Sequence, residues 1–441
     1  MLAIHDISCV GRCSLTVALP IISSIGIECS VLPTAVLSTH TGGFKGFTYR
    51  DLTEDIAPIE EHWKSLGITY DAFYTGFLGS YEQIYLVKSL IDELSNDNTT
   101  VYVDPVMGDV GKLYTVFDSE FPKGMRKLCE KADVLMPNLT ELCFMLEMEY
   151  KEGPYSWEYI ESVLKEAEVF GLKKIVITGI SFEKGKVGAV FKDYETGIIG
   201  QVMRDAIEGY FHGTGDVFGS ALVGSLESGL SLKDSVRIAV DFTVGSIKRT
   251  ASSGADVRYG VDFEEGLGEY VRQVRTVSQG ITFEKVTADM QISRVAGLAA
   301  RIWPEYWTNK LKEGQTEYMV DKFQSFKAIS QSISDGYEYY ILKSGDQDFG
   351  YTGIHKEKDR IFISKIYFDK EYRGLGLSTK VFEMIREKAL NEGLHKAYLT
   401  VKRDNPALEV YLHTGFVIID SVDTDIGNGY EMNDYILEWS F

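Results

Sequence analysis

Through about residue 274 the chain alternates short β-branched runs with amphipathic or small-residue stretches, and this alternation leaves few architectures open. Strands separated by helix-length segments pair in parallel, and a parallel sheet needs helices on both faces. The runs are residues 2–5, 30–34, 72–75, 101–104, 134–136 and 174–178. Several close on a polar residue, proline or glycine: Asp104-Pro105, Pro137-Asn138 and Thr178-Gly179. Ligands of open α/β sheets gather at the carboxyl ends of the strands, so these residues stand where chemistry is done, although Pro, Asn and Gly also simply end strands.

At 441 residues the chain is too long for one ordinary core, and two or three domains are expected. Its net charge of -20 argues against a nucleic-acid partner, which would need clustered Lys and Arg. Anionic small molecules must then be held by local devices, such as backbone N–H nests and single basic residues. No apolar run is long enough to span a bilayer, and Met1 to Asp6 reads as a strand without a charged leader, so no membrane partner and a cytoplasmic location are expected. Cys9, Cys13, Cys29, Cys129 and Cys143 show no zinc-ligand spacing and read as reduced thiols.

The segment His212-Gly213-Thr214-Gly215-Asp216-Val217-Phe218 combines an anion cradle with a carboxylate. Its glycines let successive N–H groups point into one concavity, and a following helix adds the positive end of its dipole. Asp216 then sits where a carboxylate can take the proton of an attacking hydroxyl. Such a turn alone is more often only a tight turn. It is not a dinucleotide fingerprint, because Phe218 replaces the third glycine, and Gly108 to Lys112 lacks the spacing and the Ser/Thr of a P-loop. Asp104, with Asp109, and Asn138 with Glu141 supply hard oxygen ligands suited to magnesium, though Asn138 to Glu141 also fits a capped helix start.

Ser38-Thr39-His40-Thr41-Gly42, Thr75-Gly76-Phe77-Leu78-Gly79-Ser80, Asp104 to Gly108, Asn138-x-x-Glu141 and Gly213-Thr214-Gly215-Asp216 together resemble the pyridoxal, pyridoxine and pyridoxamine (vitamin B6) kinases of the ribokinase superfamily, over roughly residues 1–275. The resemblance implies an ATP-dependent phosphorylation of a vitamer 5'-hydroxyl with Asp216 as base and Gly213, Thr214 and Gly215 as anion hole. Asn138 and Glu141 would organise Mg2+, with Asp104 a second metal carboxylate and a monovalent cation a further candidate cofactor. Thr178 and Gly179 would lie near the nucleotide, and Asp6, His40, Thr41 and Phe77 near the pyridine ring. A homodimer through this domain is implied as well. Two positions depart from the family pattern: Asp6 stands where many members carry Ser, and Phe77 where many carry Tyr. An acid there favours a protonated ring nitrogen or the amine of pyridoxamine. Hydroxymethylpyrimidine kinases are the nearest competing reading, and they often carry Cys where this chain has Asp216.

Between Arg272 and Thr282 the sequence turns polar and ends in glycine, so residues 276–281 are expected to link a first domain, 1–275, to a second, 282–441. There a strand over residues 361–368 precedes Arg373-Gly374-Leu375-Gly376-Leu377-Ser378 and a helix carrying Phe382, Ile385 and Ala389 at helical spacing. Exposed N–H groups before a helix suit a pyrophosphate. This loop, with Asn405-Pro406-Ala407-Leu408-Glu409-Val410-Tyr411 and Gly415-Phe416, resembles the GNAT acetyltransferases; Ser378 replaces their last Gly or Ala. The resemblance implies acetyl-CoA held by Arg373, Gly374, Gly376, Ser378 and Asn405, and Tyr411 as general acid to the departing thiolate. The expected architecture is a ribokinase-like open, mostly parallel sheet with helices on both faces, then a smaller GNAT-like α/β domain. The expected molecule is a bifunctional enzyme acting on small molecules; in a rival reading the GNAT part binds acyl-CoA without transferring it.

Overall fold

The computed structural model describes residues 1–441 and divides into two compact units, Met1–Val274 and Arg275–Phe441. The first contains β1 (Leu2–Ser8), β2 (Ser30–Leu37), β3 (Tyr49–Asp51), β4 (Tyr70–Thr75), β5 (Ser95–Val103), β6 (Gly108–Asp109), β7 (Lys112–Leu113), β8 (Val134–Leu135), β9 (Lys174–Ile180), β10 (Lys186–Asp193) and β11 (Ile199–Asp205). β6 and β7 form a small hairpin, and the other nine strands make one sheet in the order β11-β10-β9-β8-β5-β4-β1-β2-β3. The six strands from β9 to β2 are parallel, and the expected β-branched runs fall on them. The edges are antiparallel: β10 and β11 form a hairpin beside β9, and β3 returns along β2.

From β1 the chain steps outward to β2 and then returns to place β4 on the opposite side of β1. Strand order therefore reverses between β1 and β4, and a crevice opens at their carboxyl ends. The helix Thr214–Glu227 covers one end of that crevice, with Ala221, Leu222 and Val223 buried and the small residues Gly219, Ser220, Gly224 and Ser225 on either side of them. Serine N-caps fix other helix starts: the Ser80 and Ser231 side chains accept from Gln83 N and Asp234 N.

The second unit holds β12 (Thr282–Lys285), β13 (Tyr337–Ser344), β14 (Gln347–Lys356), β15 (Ile361–Phe368), β16 (Lys396–Lys402), β17 (Val417–Gly427) and β18 (Tyr430–Ser440), ordered β12-β13-β14-β15-β16-β18-β17. Every pairing is antiparallel except β15 with β16, which run parallel through Ile361–Ala397, Phe362–Tyr398 and Ile363–Leu399 and then part. Two cores sandwich the sheet. One packs the helix Leu377–Asn391 through Val381, Phe382 and Ile385 against Leu399 and Leu437. The other packs the helix Asp289–Trp307 through Val295, Ile302 and Trp303 against Tyr339, Ile341 and Tyr351. Three helices, Asp289–Trp307, Gln315–Gln324 and Phe326–Ser334, precede β13. Residues 276–279 of the expected linker are the end of the helix Leu267–Gln279, on which Tyr270 and Val274 are buried. No helix is long and apolar enough to cross a membrane.

Candidate functional site

The Gly213 turn forms because nothing but glycine fits it. Gly213 caps the helix Thr214–Glu227 with a left-handed φ of 73°, and a Cβ there would sit 2.2 Å from the Arg12 carbonyl oxygen. Gly215 faces open space, so the helix N-terminus is uncovered, with Thr214 beside it. Asp216 occupies the first helical turn, half-buried. Burial pushes its carboxyl up to about 7, against the Ser14 N–H, which favours the charged form, and with a further push from Asp6. A carboxylate of that acidity changes protonation state near neutrality, as a general base requires.

Asp6, at the end of β1, is buried and accepts from Ser14 Oγ at 2.6 Å and from Ser8 Oγ at 3.4 Å. Burial raises its pKa, and the two serines and His40 oppose that shift. Both of its oxygens are thus engaged inside the protein, which weakens the expectation that it serves mainly to bind a substrate cation. His40 approaches the Arg258 carbonyl at 2.5 Å through Nε2 while Nδ1 accepts from Gly42 N at 3.1 Å. Those partners select the neutral tautomer protonated at Nε2. The His212 ring lies 5.3 Å from that of His40 and the Phe44 ring 5.1 Å away, which holds the 40–44 loop against the segment leading into the Gly213 turn. Thr41 is exposed on that loop. Phe77 sits beyond β4, its ring 5.6 Å from Phe117 and its carbonyl accepting from Thr34 Oγ1 at 3.3 Å.

Asp104 follows β5 and donates its N–H to the Thr75 carbonyl at 3.0 Å, which brings its side chain to the floor of the crevice. Its carboxyl is held well above the usual range by burial and then by Asp216. Asn138 and Glu141 form a full capping box: Asn138 Oδ1 accepts from Glu141 N at 3.0 Å, and Glu141 Oε2 accepts from Asn138 N at 2.8 Å. Glu141 Oε1 also accepts from Met107 N at 3.2 Å, and Asn138 Nδ2 donates to the Gly108 carbonyl at 2.8 Å. Both readings of this pair therefore meet in one place: the residues cap a helix and also clamp the loop that carries Asp104. Glu141 too is held well above the usual range, by burial and then by Asp104, with the backbone donors opposing. Asp104 thus pushes up Glu141 while Asp216 pushes up Asp104, a run of carboxyls that a divalent cation would relieve, and magnesium asks for one or two carboxylates with the rest of its shell from water and phosphate.

Thr178 donates its N–H to the Pro137 carbonyl at 3.0 Å, and Gly179 lies on the wall of an open cleft of about 560 Å³ lined also by Tyr155, Lys184, Lys186, Val187 and Ala206. Tyr155 and Val187 give the cleft apolar wall and Lys184 a cation, while Lys186 is paired with Asp205 at 2.7 Å; such a lining suits an aromatic, anionic ligand.

Sequence reading missed three contributors. Ser14 holds a positive φ of 56° without being glycine, ties Asp6 and faces Asp216; its unusual backbone has no signature in the sequence. Tyr74 is fully buried with its hydroxyl unpartnered, and Asp104 and Asp216 both act on it. Gly219 makes room for that hydroxyl, since a Cβ there would meet Tyr74 Oη at 2.4 Å.

In the second unit Gly374 and Gly376 both take left-handed φ values, 75° and 73°, with open space beside them, and Gly376 caps the helix Leu377–Asn391. Ser378 lies in the first turn, which carries no acidic residue. Arg373 is committed elsewhere: Nε donates to the Phe368 carbonyl at 2.9 Å and Nη2 to Glu305 at 2.6 Å. Asn405 Oδ1 accepts from Tyr306 Oη at 2.8 Å and from Ala407 N at 3.0 Å, so it fixes the start of the helix Ala407–Thr414. Tyr411 projects from that helix with its hydroxyl pKa raised by burial, then by Tyr306, which keeps the proton in place.

The sequence model of the phosphomethylpyrimidine kinase family matches residues 20–260, more than half of the chain. The chain belongs to that family. The acetyltransferase (GNAT) domain model matches residues 304–438, so a GNAT domain is fused to the kinase-family unit. A Bacteroides thetaiotaomicron structure named for phosphomethylpyrimidine kinase, crystallised with pyridoxal, is 38% identical, with a TM-score of 0.59 over 61% of this chain and 94% of that one. Pyridoxal kinase from Lactobacillus plantarum is 28% identical, with a TM-score of 0.57 over 62% of this chain and 96% of its own. Pyridoxal kinase of Arabidopsis thaliana is 28% identical over 51% of this chain and 74% of its own length. The chain spans 58% of a Schizosaccharomyces pombe relative also named for pyridoxal kinase, at 26% identity. The two family models match separate parts of the chain, residues 20–260 and 304–438.

Proposed function

We propose that the first unit transfers the γ-phosphoryl group of ATP to the 5'-hydroxyl of a vitamin B6 vitamer. The observation that carries this reading is Asp216: a carboxyl poised at about 7 in the first turn of an uncovered helix N-terminus, behind a glycine that nothing can replace. Asp216 takes the hydroxyl proton as the oxygen attacks phosphorus in line, and the N–H groups of Gly213 to Asp216 neutralise charge gathering on the transferred group. Asp104 and Glu141 would hold Mg2+, which supplies charge neutralisation on the nucleotide phosphates. The loop of His40 to Phe44 packs on His212 beside the Gly213 turn and would exclude water from the reacting phosphate. Relatives named for pyridoxal kinase, and the neighbour crystallised with pyridoxal, support a pyridine over a pyrimidine.

The test is ATP-dependent phosphorylation of pyridoxal, pyridoxine, pyridoxamine and hydroxymethylpyrimidine by the full chain, with Asp216→Ala and Asp216→Asn alongside. Turnover of a pyridine vitamer that both variants abolish supports the reading. Turnover confined to the pyrimidine replaces the substrate, and near-normal turnover in either variant refutes the base.

A second activity is favoured by one feature of the GNAT domain, the Gly374 to Ser378 loop, whose glycines open onto free space before a helix with no acid in its first turn. There the second unit would bind acetyl-CoA and transfer its acetyl group to an amine, with Tyr411 protonating the thiolate. Acetyl-CoA binding without thiol release toward any amine would reduce this unit to a binding module.

A further inference from the structure

A β-bulge sits where the strand pair β15–β16 comes apart, and it brings together two side chains that simple alternation would keep on opposite faces. The last paired residues of the two strands are Ile363 and Leu399. Against β14, Ile363 pairs with Ile354 and Lys365 with Gly353, so Ser364 is the extra residue. Lys365 Nζ donates to Ser364 Oγ at 3.0 Å, and the serine keeps its own hydroxyl proton to donate.

Lys365 has no counter-ion. Ser364 Oγ is the hydrogen-bond partner of its ammonium, and no carboxylate forms an ion pair with it. The side chain is half-buried, and desolvation alone pulls the ammonium down to about 8. Buried cations are ordinarily paired, so this one has an unmet demand for an anion. Gly353 leaves it room: a Cβ there would lie 3.1 Å from Lys365 Cγ and 3.1 Å from Tyr339 Cε1. The lysine stem therefore rests beside Tyr339, on the sheet face that packs under the helix Asp289–Trp307.

The Gly374 to Ser378 loop belongs to the other face, since Leu375 and Leu377 pack in the core of the helix Leu377–Asn391. A pyrophosphate on that loop would lie across the sheet from Lys365, which leaves the cation for the second substrate. We propose that Lys365 and Ser364 bind an oxyanion, carboxylate or phosphate, carried by the acceptor amine of the acetyltransferase unit. This rests on the acetyl-transfer reading above and names its substrate class. The amine nitrogen attacks the thioester carbonyl, the C–N bond forms and the C–S bond breaks. The thiolate takes the Tyr411 proton, and the proton lost by nitrogen returns to Tyr411. Amine and thioester become amide and thiol, and Lys365 stays an ammonium throughout, holding the acceptor by its far end.

The experiment uses the full chain. Calorimetry follows acetyl-CoA binding, and thiol release is followed with two matched pairs: phenylalanine against 2-phenylethylamine, and pyridoxamine 5'-phosphate against pyridoxamine. In at least one pair the anionic member should show a kcat/KM about 30-fold above its partner, and which pair it is separates carboxylate from phosphate. Lys365→Met should raise KM for that acceptor by about 30-fold, with Lys365→Arg recovering part. Acetyl-CoA affinity should be the same in Lys365→Met, because its anions lie across the sheet. A neutral amine that matches or beats its anionic partner overturns the proposal, as does a KM in Lys365→Met within about threefold of wild type. Silence on all four amines with acetyl-CoA bound is decided by reductive methylation mapped by mass spectrometry. Slower modification of Lys365 in inorganic phosphate or acetate than in chloride keeps the oxyanion site, and equal modification overturns it. Absence of acetyl-CoA binding sinks the transferase reading, and the proposal with it.

Discussion

Gly213 sits against Arg12 so closely that a single added carbon would fall 2.2 Å from the Arg12 carbonyl oxygen. Two residues 201 positions apart by their numbering thus set the height of the helix N-terminus that would face the phosphates. Gly213→Ala meets both the clash and a φ of 73°, and should cost about 1–3 kcal/mol of stability together with most kinase turnover. Gly215→Ala has open space and should leave melting unchanged while weakening ATP binding, because its methyl group enters the anion cradle. Melting curves and ATP titrations of the two variants check the contrast; equal melting losses would show that the cradle is only a turn.

The acidity of Asp216 predicts opposite trends for rate and stability. As a base it must be ionised, so kcat/KM should rise with pH through about 7 and then level. Its folded pKa is raised above the unfolded value of 3.8, so its contribution to stability is complete below that value and is lost as pH rises through about 7. Asp216→Asn should therefore melt higher than wild type at pH 8, by roughly 2–4 kcal/mol of stability, with the gap closing toward pH 4. Melting of both proteins across that range is the measurement, and a gap independent of pH would contradict it.

Tyr74 and Gly219 should behave as a coupled pair. Gly219→Ala drives a methyl group toward a hydroxyl that sits 2.4 Å from its position, at a cost of about 1–3 kcal/mol. Tyr74→Phe removes an unpartnered buried hydroxyl and should be neutral or stabilising by about 1 kcal/mol. In the double variant the alanine should cost less than it does alone, and a urea-unfolding cycle reads the coupling directly. Strict additivity would mean that the two groups do not share that space.

Ser378→Glu places a negative charge in the first turn of a helix that has none there. The dipole should reward it with about 0.3–1 kcal/mol of stability. The same charge should repel an anionic pyrophosphate, so melting temperature rises while affinity for acetyl-CoA falls, as calorimetry can show. Unchanged affinity would remove this loop from the proposed binding site.

Much of this was readable in the residues. The six parallel strands follow from β-branched runs at helix-length spacing, and Gly213, Gly374 and Gly376 are visible because few other residues adopt their left-handed backbone. The antiparallel hairpin β10–β11 was not anticipated, since its strands carry charged and small residues and pair with each other through contacts no local pattern encodes. The gap between β15 and β16 was invisible for the same reason: it is a property of two strands separated by a whole helix. Arg373 and Asn405 are recognisable as family positions, but their partners Glu305 and Tyr306 lie on a distant helix, so only the structure shows how they are engaged. Ser14 and Tyr74 act through position alone.

Glu141 accepts from the backbone of two separate segments, Met107 and Asn138, before any ligand arrives. A cation entering beside Asp104 would meet a receptor whose geometry the main chain has already set. Loading should then proceed with little rearrangement, which implies a small heat-capacity change and an uptake rate governed by dehydration of the ion.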